Sequence, residues 1–107
     1  MKYKIMKIIC MFDLPTDTED GKRNYRLFRK NLIKEGFTMI QYSVYVRTCP
    51  NRDYVKAVVK RVSGFSPNEG NIRMITVTEK QYDDMKVLVG DRTLTETKIG
   101  NERLIII

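Results

Sequence analysis

Asp13 is the residue of this sequence whose position suggests chemistry, because it ends an apolar strand instead of lying in a polar loop. Residues 8–23 read IICMFDLPTDTEDGKR, so an apolar run meets a carboxylate directly. One interpretation is structural, a side-chain turn into the following Leu-Pro-Thr. The other is chemical, since Mg²⁺ is often held by one or two carboxylates together with water and substrate phosphate. The sequence leaves both interpretations open.

A metal site at Asp13 would need a second carboxylate, because one Asp alone is a weak anchor for a divalent cation. Two copies of Asp13 brought together across a dimer axis would supply that pair from a single sequence position. The sequence contains no histidine, which excludes imidazole general bases, Ser-His-Asp and Cys-His catalysis and His-containing zinc sites. The metal, Mg²⁺ or alternatively Mn²⁺, would then have to supply the activated water.

The basic residues after Asp13 suggest phosphate binding. The 107-residue chain has 20 Lys and Arg against 13 Asp and Glu, and its net charge of +7 favours an anionic partner such as nucleic acid. At 100° per residue, six cations fall within an arc of about 140° on a predicted helix. They are Lys22, Arg23, Arg26, Arg29, Lys30 and Lys34. With no acids spaced for i,i+4 pairing, these charges repel one another. The arc therefore predicts a backbone-binding face, although a merely solvated face is the alternative.

The apolar run predicts a central strand over residues 5–13 with two different faces. Its even positions, from Met6 to Phe12, are all apolar and should lie beneath helices. Its odd positions are mixed. They are Ile5, Lys7, Ile9, Met11 and Asp13. Such a face is too polar for a sealed core and too apolar for solvent, so it predicts a homodimer built on this face.

The other segments predict an α+β fold, a ferredoxin-like sandwich with a βαββαβ-type sheet and its helices on one face. Thr16–Glu19 fits a capping box that opens the basic helix, and Gly36 should terminate it. Residues 38–48 predict a strand bent near Ser43, residues 51–63 a second helix, 72–78 a further strand and 79–86 a short helix. The fourth strand comes either from the bent segment or from the C-terminal tail.

A single domain, residues 1–107, accounts for the chain. Its tail, residues 90–107, ends in the aliphatic run Leu104–Ile107, which should add a strand to a partner's sheet. Cys10 and Cys49 lack a CxxC spacing, and Cys10 should pack in the core. These cysteines, together with the lack of an export signal or an apolar run of about 20 residues, predict a cytoplasmic protein with no membrane segment.

Residues 8–46 resemble the second core family of CRISPR-associated proteins. Three features match in order: a strand ending in aromatic–Asp, a basic helix, and the Gln-x-Ser-Val-aromatic strand at Gln41–Tyr45. The likeness extends over essentially the whole chain. It implies a small metal-dependent endonuclease of antiviral defence that acts with the spacer integrase, with Asp13 of both subunits as magnesium ligand and catalytic residue. The implied backbone-binding residues are Lys22, Arg23, Arg26, Arg29 and Lys30.

Three functional classes stay open. The first is a Mg²⁺-dependent endonuclease of RNA or DNA, and the second is a noncatalytic DNA-binding scaffold that bridges integrase subunits. The third is a toxin-like ribonuclease outside CRISPR systems. The resemblance implies four partners: a second copy of the chain, an integrase subunit, double-stranded spacer-precursor DNA, and single-stranded RNA. One departure matters, because the family often has Tyr where this chain has Phe12, so a hydroxyl that could assist cleavage is missing.

Overall fold

A four-stranded antiparallel sheet carries the helices of this protein. The computed structural model describes residues 4–90, so the predicted tail strand at Leu104–Ile107 lies outside the described residues. The elements are β1 (Met6–Asp13), α1 (Glu19–Lys34), β2 (Thr38–Gln41), β3 (Val44–Cys49), α2 (Arg52–Gly64), β4 (Asn71–Thr78) and α3 (Glu79–Asp83). The strand order is β2-β3-β1-β4, which places β1 between β3 and β4. The βαββαβ order and this topology confirm the ferredoxin-like prediction.

The core lies between one face of the sheet and helices α1 and α2. The even positions of β1 are buried, as the alternation of the strand predicts. They pack in one cluster with the apolar stripes of the two helices. Those helical residues are Phe28, Leu32, Val55, Val58 and Val62. The other face of the sheet carries the odd positions of β1 and is called the open face below. Within residues 4–90, none of the helices is long and apolar enough to span a membrane.

The segment after α1 forms a β-hairpin, so it supplies two strands of the sheet. β2 and β3 pair on either side of a two-residue turn, Tyr42–Ser43, and Ser43 has a φ of 61°. The register shifts between Met39 and Gln41, which marks a bulge in the edge strand. The predicted bend near Ser43 is therefore confirmed, and the fourth strand comes from this segment.

Helix α1 begins two residues later than the sequence predicts. Its N-cap is Thr18, whose side chain accepts a hydrogen bond from the Gly21 N–H at 2.9 Å. The predicted capping box at Thr16–Glu19 is wrong. A Cβ on Gly21 would lie 2.5 Å from the Pro15 carbonyl oxygen, so the chain before the helix packs tightly against a glycine in its first turn. The other end agrees with prediction, since Gly36 has a φ of 97°.

Arg47 of β3 fixes the C-terminal end of α1. Its Nε donates to the Glu35 carbonyl at 2.8 Å, and the Glu35 carboxylate pairs with Arg61 of α2, also at 2.8 Å. The guanidinium also lies 4.9 Å from the ring centroid of Tyr54 and donates to its hydroxyl at 3.2 Å. These contacts tie α1, β3 and α2 together, so the basic helix is held against a rigid support.

Lys7, predicted on the mixed face of β1, is fully buried. Its Nζ donates to Thr48 Oγ1 at 2.8 Å and lies 5.3 Å from the ring centroid of Tyr82 in α3. The start of α3 is anchored by a hydrogen bond from the Glu79 N–H to the Ile5 carbonyl at 3.1 Å. Helix α3 therefore covers the open face where β1 begins. The Asp13 end of β1 lies at the opposite end of that strand.

Candidate metal site and nucleic-acid surface

Asp13 lies exposed at the end of β1, directly opposite Asn71 of β4. Residues opposite each other in an antiparallel pair point to the same face of a sheet, so the Asn71 amide shares the open face with the Asp13 carboxylate. Gly70 makes this pairing possible at close range. It has a φ of 96°, and a Cβ there would lie 2.8 Å from the Asp13 carbonyl oxygen. The end of β1 is thus a tightly built corner that presents two oxygen-bearing side chains.

The open face next to Asp13 is apolar with one cation. Ile9 pairs with Ile75, and Met11 pairs with Arg73. Met11 and Ile75 are 38% and 49% exposed, which leaves large apolar side chains facing solvent in one subunit. Arg73 is exposed and lies two residues along β4 from Asn71, which makes it a diagonal neighbour of Asp13 on the same face. Neither Asn71 nor Arg73 is predicted from the sequence, because the pairing of β4 with β1 is what brings them to this corner.

The donors on this corner match the chemistry of Mg²⁺ but do not complete a site within one subunit. Carboxylate and amide oxygens are suitable ligands, and Asp13 is exposed enough to reach a cation. Among residues 4–90, however, no group of three or more Asp, Glu, Cys or His side chains lies close enough to hold a metal ion. Within residues 4–90, Asp13 is the carboxylate predicted as a ligand at this corner, and a paired site would need a second carboxylate, such as Asp13 of another copy of the chain.

The five predicted backbone-binding cations of α1 are all exposed, but they divide into two groups. Lys22 lies 3.6 Å from Glu19, and Arg23 lies 2.9 Å from Asp20, so the first turn pairs its cations with carboxylates at i,i+3. The i,i+4 pattern, on which the prediction of unpaired cations depends, does not reveal these i,i+3 pairs. The second group has no ion pair with a carboxylate in the part of the chain that the structure describes. It consists of Arg26, Arg29 and Lys30.

The structure does not bring Asp13 and the α1 cations into one pocket. Asp13 is at an odd position of β1 and lies on the open face, whereas α1 packs against the even positions. The two predicted sites lie on opposite faces of the sheet, and both are close to the end of β1. A nucleic-acid strand that touches both would have to pass around this end of the sheet.

A chain of aromatic rings marks the helix side of the same end. The Phe12 ring lies 5.0 Å from Phe28, 5.6 Å from Tyr45 and 5.8 Å from Tyr25, measured between centroids. Tyr25 in turn stacks on Tyr42 of the β2–β3 turn at 6.5 Å. Tyr42 is 78% exposed, and a hydrogen bond with Tyr25 raises the pKa of its phenol. Neither tyrosine is predicted as a site residue from the sequence, although a tyrosine in a predicted bend between two strand segments is a signal that points to Tyr42.

The two cysteines take no part in this surface. Both are buried, and burial raises the pKa of Cys10 to about 12. Burial also raises the pKa of Cys49, an effect that the nearby Arg47 opposes. A buried thiol that stays protonated is a poor nucleophile. The prediction that Cys10 packs as a core residue is confirmed, and thiol chemistry is not a candidate mechanism.

Comparison with known proteins identifies the family. The family model described as CRISPR associated protein Cas2 matches residues 6–85, from β1 through α3. A protein of Ligilactobacillus salivarius (strain UCC118) named CRISPR-associated endoribonuclease Cas2 is 46% identical over 102 residues, which cover 95% of this chain and all of the relative. The protein of the same name from Streptococcus mutans (strain ATCC 700610 / UA159) is 45% identical over 90% of this chain and 85% of its own. The chain therefore belongs to the Cas2 family of CRISPR-associated proteins.

Proposed function

We propose that this protein is a metal-dependent CRISPR-associated nuclease that works as a homodimer, with the Asp13 carboxylates of both subunits as metal ligands and catalytic residues. The observation that carries the proposal is an exposed carboxylate at the end of an otherwise core-forming strand, on a sheet face that also exposes Met11 and Ile75. The name endoribonuclease, which the similar proteins bear, supports the class of reaction.

Dimerisation through the open face accounts for both the apolar and the acidic residues there. An isologous two-fold contact places the same patch of each subunit against its copy. Burial of Met11 and Ile75 would favour association, since burying apolar surface contributes about 25 cal/mol per Å². A two-fold axis near the end of β1 would bring the two Asp13 side chains together. Their mutual repulsion is then offset when a divalent cation lies between them.

The protein's own residues would divide the work between binding and cleavage. Arg26, Arg29 and Lys30 would hold the phosphate backbone, because no carboxylate among the described residues neutralises them. Asn71 and Arg73 would orient a phosphodiester beside Asp13 on the open face. Mg²⁺ or Mn²⁺ held there would polarise the phosphate and supply an activated water. We propose RNA or DNA as substrates and the spacer integrase as the partner in acquisition of new spacers.

A second candidate function is a noncatalytic scaffold that binds spacer-precursor DNA and bridges integrase subunits. It is favoured by the separation of the two sites, since α1 can bind a duplex on the helix side without any contribution from Asp13 on the open face. Membership of the Cas2 family favours both candidates over a toxin-like ribonuclease outside CRISPR systems.

The variant Asp13→Asn tests the nuclease proposal, because it keeps the shape of the side chain and removes its charge. We expect metal-dependent cleavage of single-stranded RNA and of duplex DNA to fall to the level seen with a chelator. Duplex affinity should stay within about twofold, because the α1 cations carry the binding. The matched control is Asp17→Asn, which neutralises another exposed carboxylate before α1.

Three outcomes of this comparison are informative. Cleavage that is unchanged in Asp13→Asn would show that the proposed catalytic residue is wrong. Cleavage lost together with spacer acquisition in cells supports the nuclease. Cleavage lost with acquisition intact would support the scaffold and leave the carboxylates without a role in acquisition.

A further inference from the structure

The turn between β2 and β3 presents an aromatic ring where hairpins ordinarily carry Gly, Asn or Asp. Tyr42 occupies the first turn position and Ser43 the second, with Ser43 in the left-handed region at a φ of 61°. A non-glycine residue in that region costs free energy, so the conformation is maintained by its surroundings. The bulge at Ile40 further twists the edge strand that leads into the turn.

Tyr42 is held in place on one side and open on the other. Its ring is within 24° of parallel with Tyr25, at a centroid distance of 6.5 Å, and Tyr25 packs against the core ring of Phe12. The side chain nevertheless stays 78% exposed. Its phenol is neutral at physiological pH, as tyrosine ordinarily is, and a hydrogen bond with Tyr25 raises the pKa of that phenol further. An uncharged aromatic ring that is packed on one face and exposed on the other can stack on a nucleobase.

The charges beside Tyr42 suit a nucleic acid. Tyr25 lies on α1 between Lys22 and Arg29, at spacings of three and four residues that share one side of a helix. Arg26 follows Tyr25 directly, and neither arginine pairs with a carboxylate within residues 4–90. The exposed ring therefore stands next to the cations proposed to hold phosphates. Cationic grooves with adjacent aromatic faces bind single strands.

The position of the turn links the two proposed sites. The Phe12 N–H donates to the Ser43 carbonyl at 3.2 Å, which joins the turn to the end of β1 one residue before Asp13. The stacking with Tyr25 places the Tyr42 ring on the helix side of the sheet and away from the open face. Tyr42 is thus outside the proposed dimer contact, at the corner where a strand leaving α1 would turn toward Asp13.

We propose that the outer face of Tyr42 stacks on an unpaired nucleobase of a nucleic-acid strand whose phosphates bind α1. The inference rests on the proposed function, because it requires that α1 binds nucleic acid, and it narrows the ligand to single strands or to duplexes with an unpaired end. Every base offers a π face, so the site would tolerate any sequence. The ligand is a nucleobase with its sugar-phosphate backbone, which both RNA and DNA contain.

The test is the affinity of Tyr42→Ala for single-stranded RNA, single-stranded DNA and a blunt duplex, all of equal length. Because a base–aromatic stack contributes roughly 1–3 kcal/mol, the single strands should bind between about 5-fold and about 150-fold more weakly. Duplex affinity should not change, since its bases are already paired. Tyr42→Phe, which keeps the ring and removes only the hydroxyl, should bind like the wild type.

A second arm measures the stack itself with strands in which abasic sites replace the bases. Wild-type protein should bind the abasic strands more weakly than the intact strands. Tyr42→Ala should bind the two kinds of strand equally, because the substitution and the abasic sites remove the same contact. Tyr42→Leu preserves bulk at the turn without a π face and should behave like Tyr42→Ala. An unchanged thermal midpoint for the variants checks that the fold is intact, as expected for a side chain this exposed.

The outcomes separate this inference from the proposed function. If wild-type protein binds no nucleic acid, both fail together. If Arg26→Ala and Arg29→Ala weaken single-strand binding while Tyr42→Ala does not, α1 binds nucleic acid and the stacking site is wrong. If Tyr42→Ala loses as much affinity for the duplex as for single strands, the stacking site is also wrong, because the paired bases of a duplex are not available to stack on Tyr42.

Discussion

The ring of Phe12 lies on the other side of β1 from the Asp13 carboxylate, because successive side chains of a strand point to opposite faces. Its ring is 6% exposed and lies within an aromatic cluster that includes Phe28 and Tyr45. A hydroxyl at this position would enter the core side of the sheet and would not reach a phosphate beside Asp13. The aromatic residue at position 12 is therefore explained by packing and not by catalysis.

This geometry predicts the behaviour of Phe12→Tyr. We expect no gain in metal-dependent cleavage, measured on the same RNA and DNA substrates as for Asp13→Asn. Stability should fall by about 1–3 kcal/mol if the buried hydroxyl finds no partner, and should change little if it bonds to the nearby Tyr25. Chemical denaturation measures that difference. A clear rise in cleavage that Asp13→Asn abolishes would mean that position 12 does contribute to the reaction.

At the scale of the elements, the parts predicted from sequence are those set by local periodicity. The alternation along β1 fixes its buried face, and the valine spacing fixes the inner side of α2. The helix start was wrong because Thr16 and Thr18 both offer a cap, and the packing of Pro15 against Gly21 selects the later one. Burial of Lys7 depends on α3, which is far away in sequence, so no local pattern could have indicated it.

The division of cations along α1 gives a prediction about salt dependence. Replacing Arg26 and Arg29 by Ala removes four phosphate contacts from a dimer, so the slope of log K against log salt should flatten by about 3 to 4 on a duplex. The matched control is Lys56→Ala with Lys60→Ala, which removes the same charge from the exposed side of α2. Equal effects of the two double variants would mean that net charge, and not α1, governs binding.

Removing the carboxylates of the first turn of α1 should increase the unpaired positive charge of that helix. Glu19→Gln with Asp20→Asn would release Lys22 and Arg23 from their ion pairs at 3.6 Å and 2.9 Å. We expect tighter duplex binding with a steeper salt slope. The cost should be about 0.3–1 kcal/mol of stability for each acid lost from the helix N-terminus. Binding that is no tighter would show that the first turn of α1 does not face the phosphates.

At the scale of the whole molecule, the open face should decide whether the protein is a dimer. Ile75 on β4 and Leu27 on α1 are both 49% exposed, so they form a matched pair on opposite sides of the sheet. Ile75→Asp places a charge within the proposed contact and should give a monomer in sedimentation at micromolar concentration. Leu27→Asp should remain dimeric. If Ile75→Asp remains dimeric, the interface does not lie on the open face, and there is no basis for pairing the two Asp13 side chains.

The same dimer prediction extends to activity, because the proposed site takes one carboxylate, Asp13 at the end of β1, from each subunit. Wild-type and Asp13→Asn chains, mixed in equal amounts and allowed to exchange, should form both homodimers and the mixed dimer. If cleavage needs both carboxylates, only dimers of two wild-type chains are active, and the rate should fall to about a quarter of that of wild type at the same total concentration. If each Asp13 acts alone, about half of the activity remains, since half of the sites are intact.

Ile75→Asp tests the paired site in a second way. A monomer that keeps Asp13 but loses its partner subunit should have no metal-dependent cleavage. Activity retained by that monomer would contradict the paired site even if the wild-type protein is a dimer.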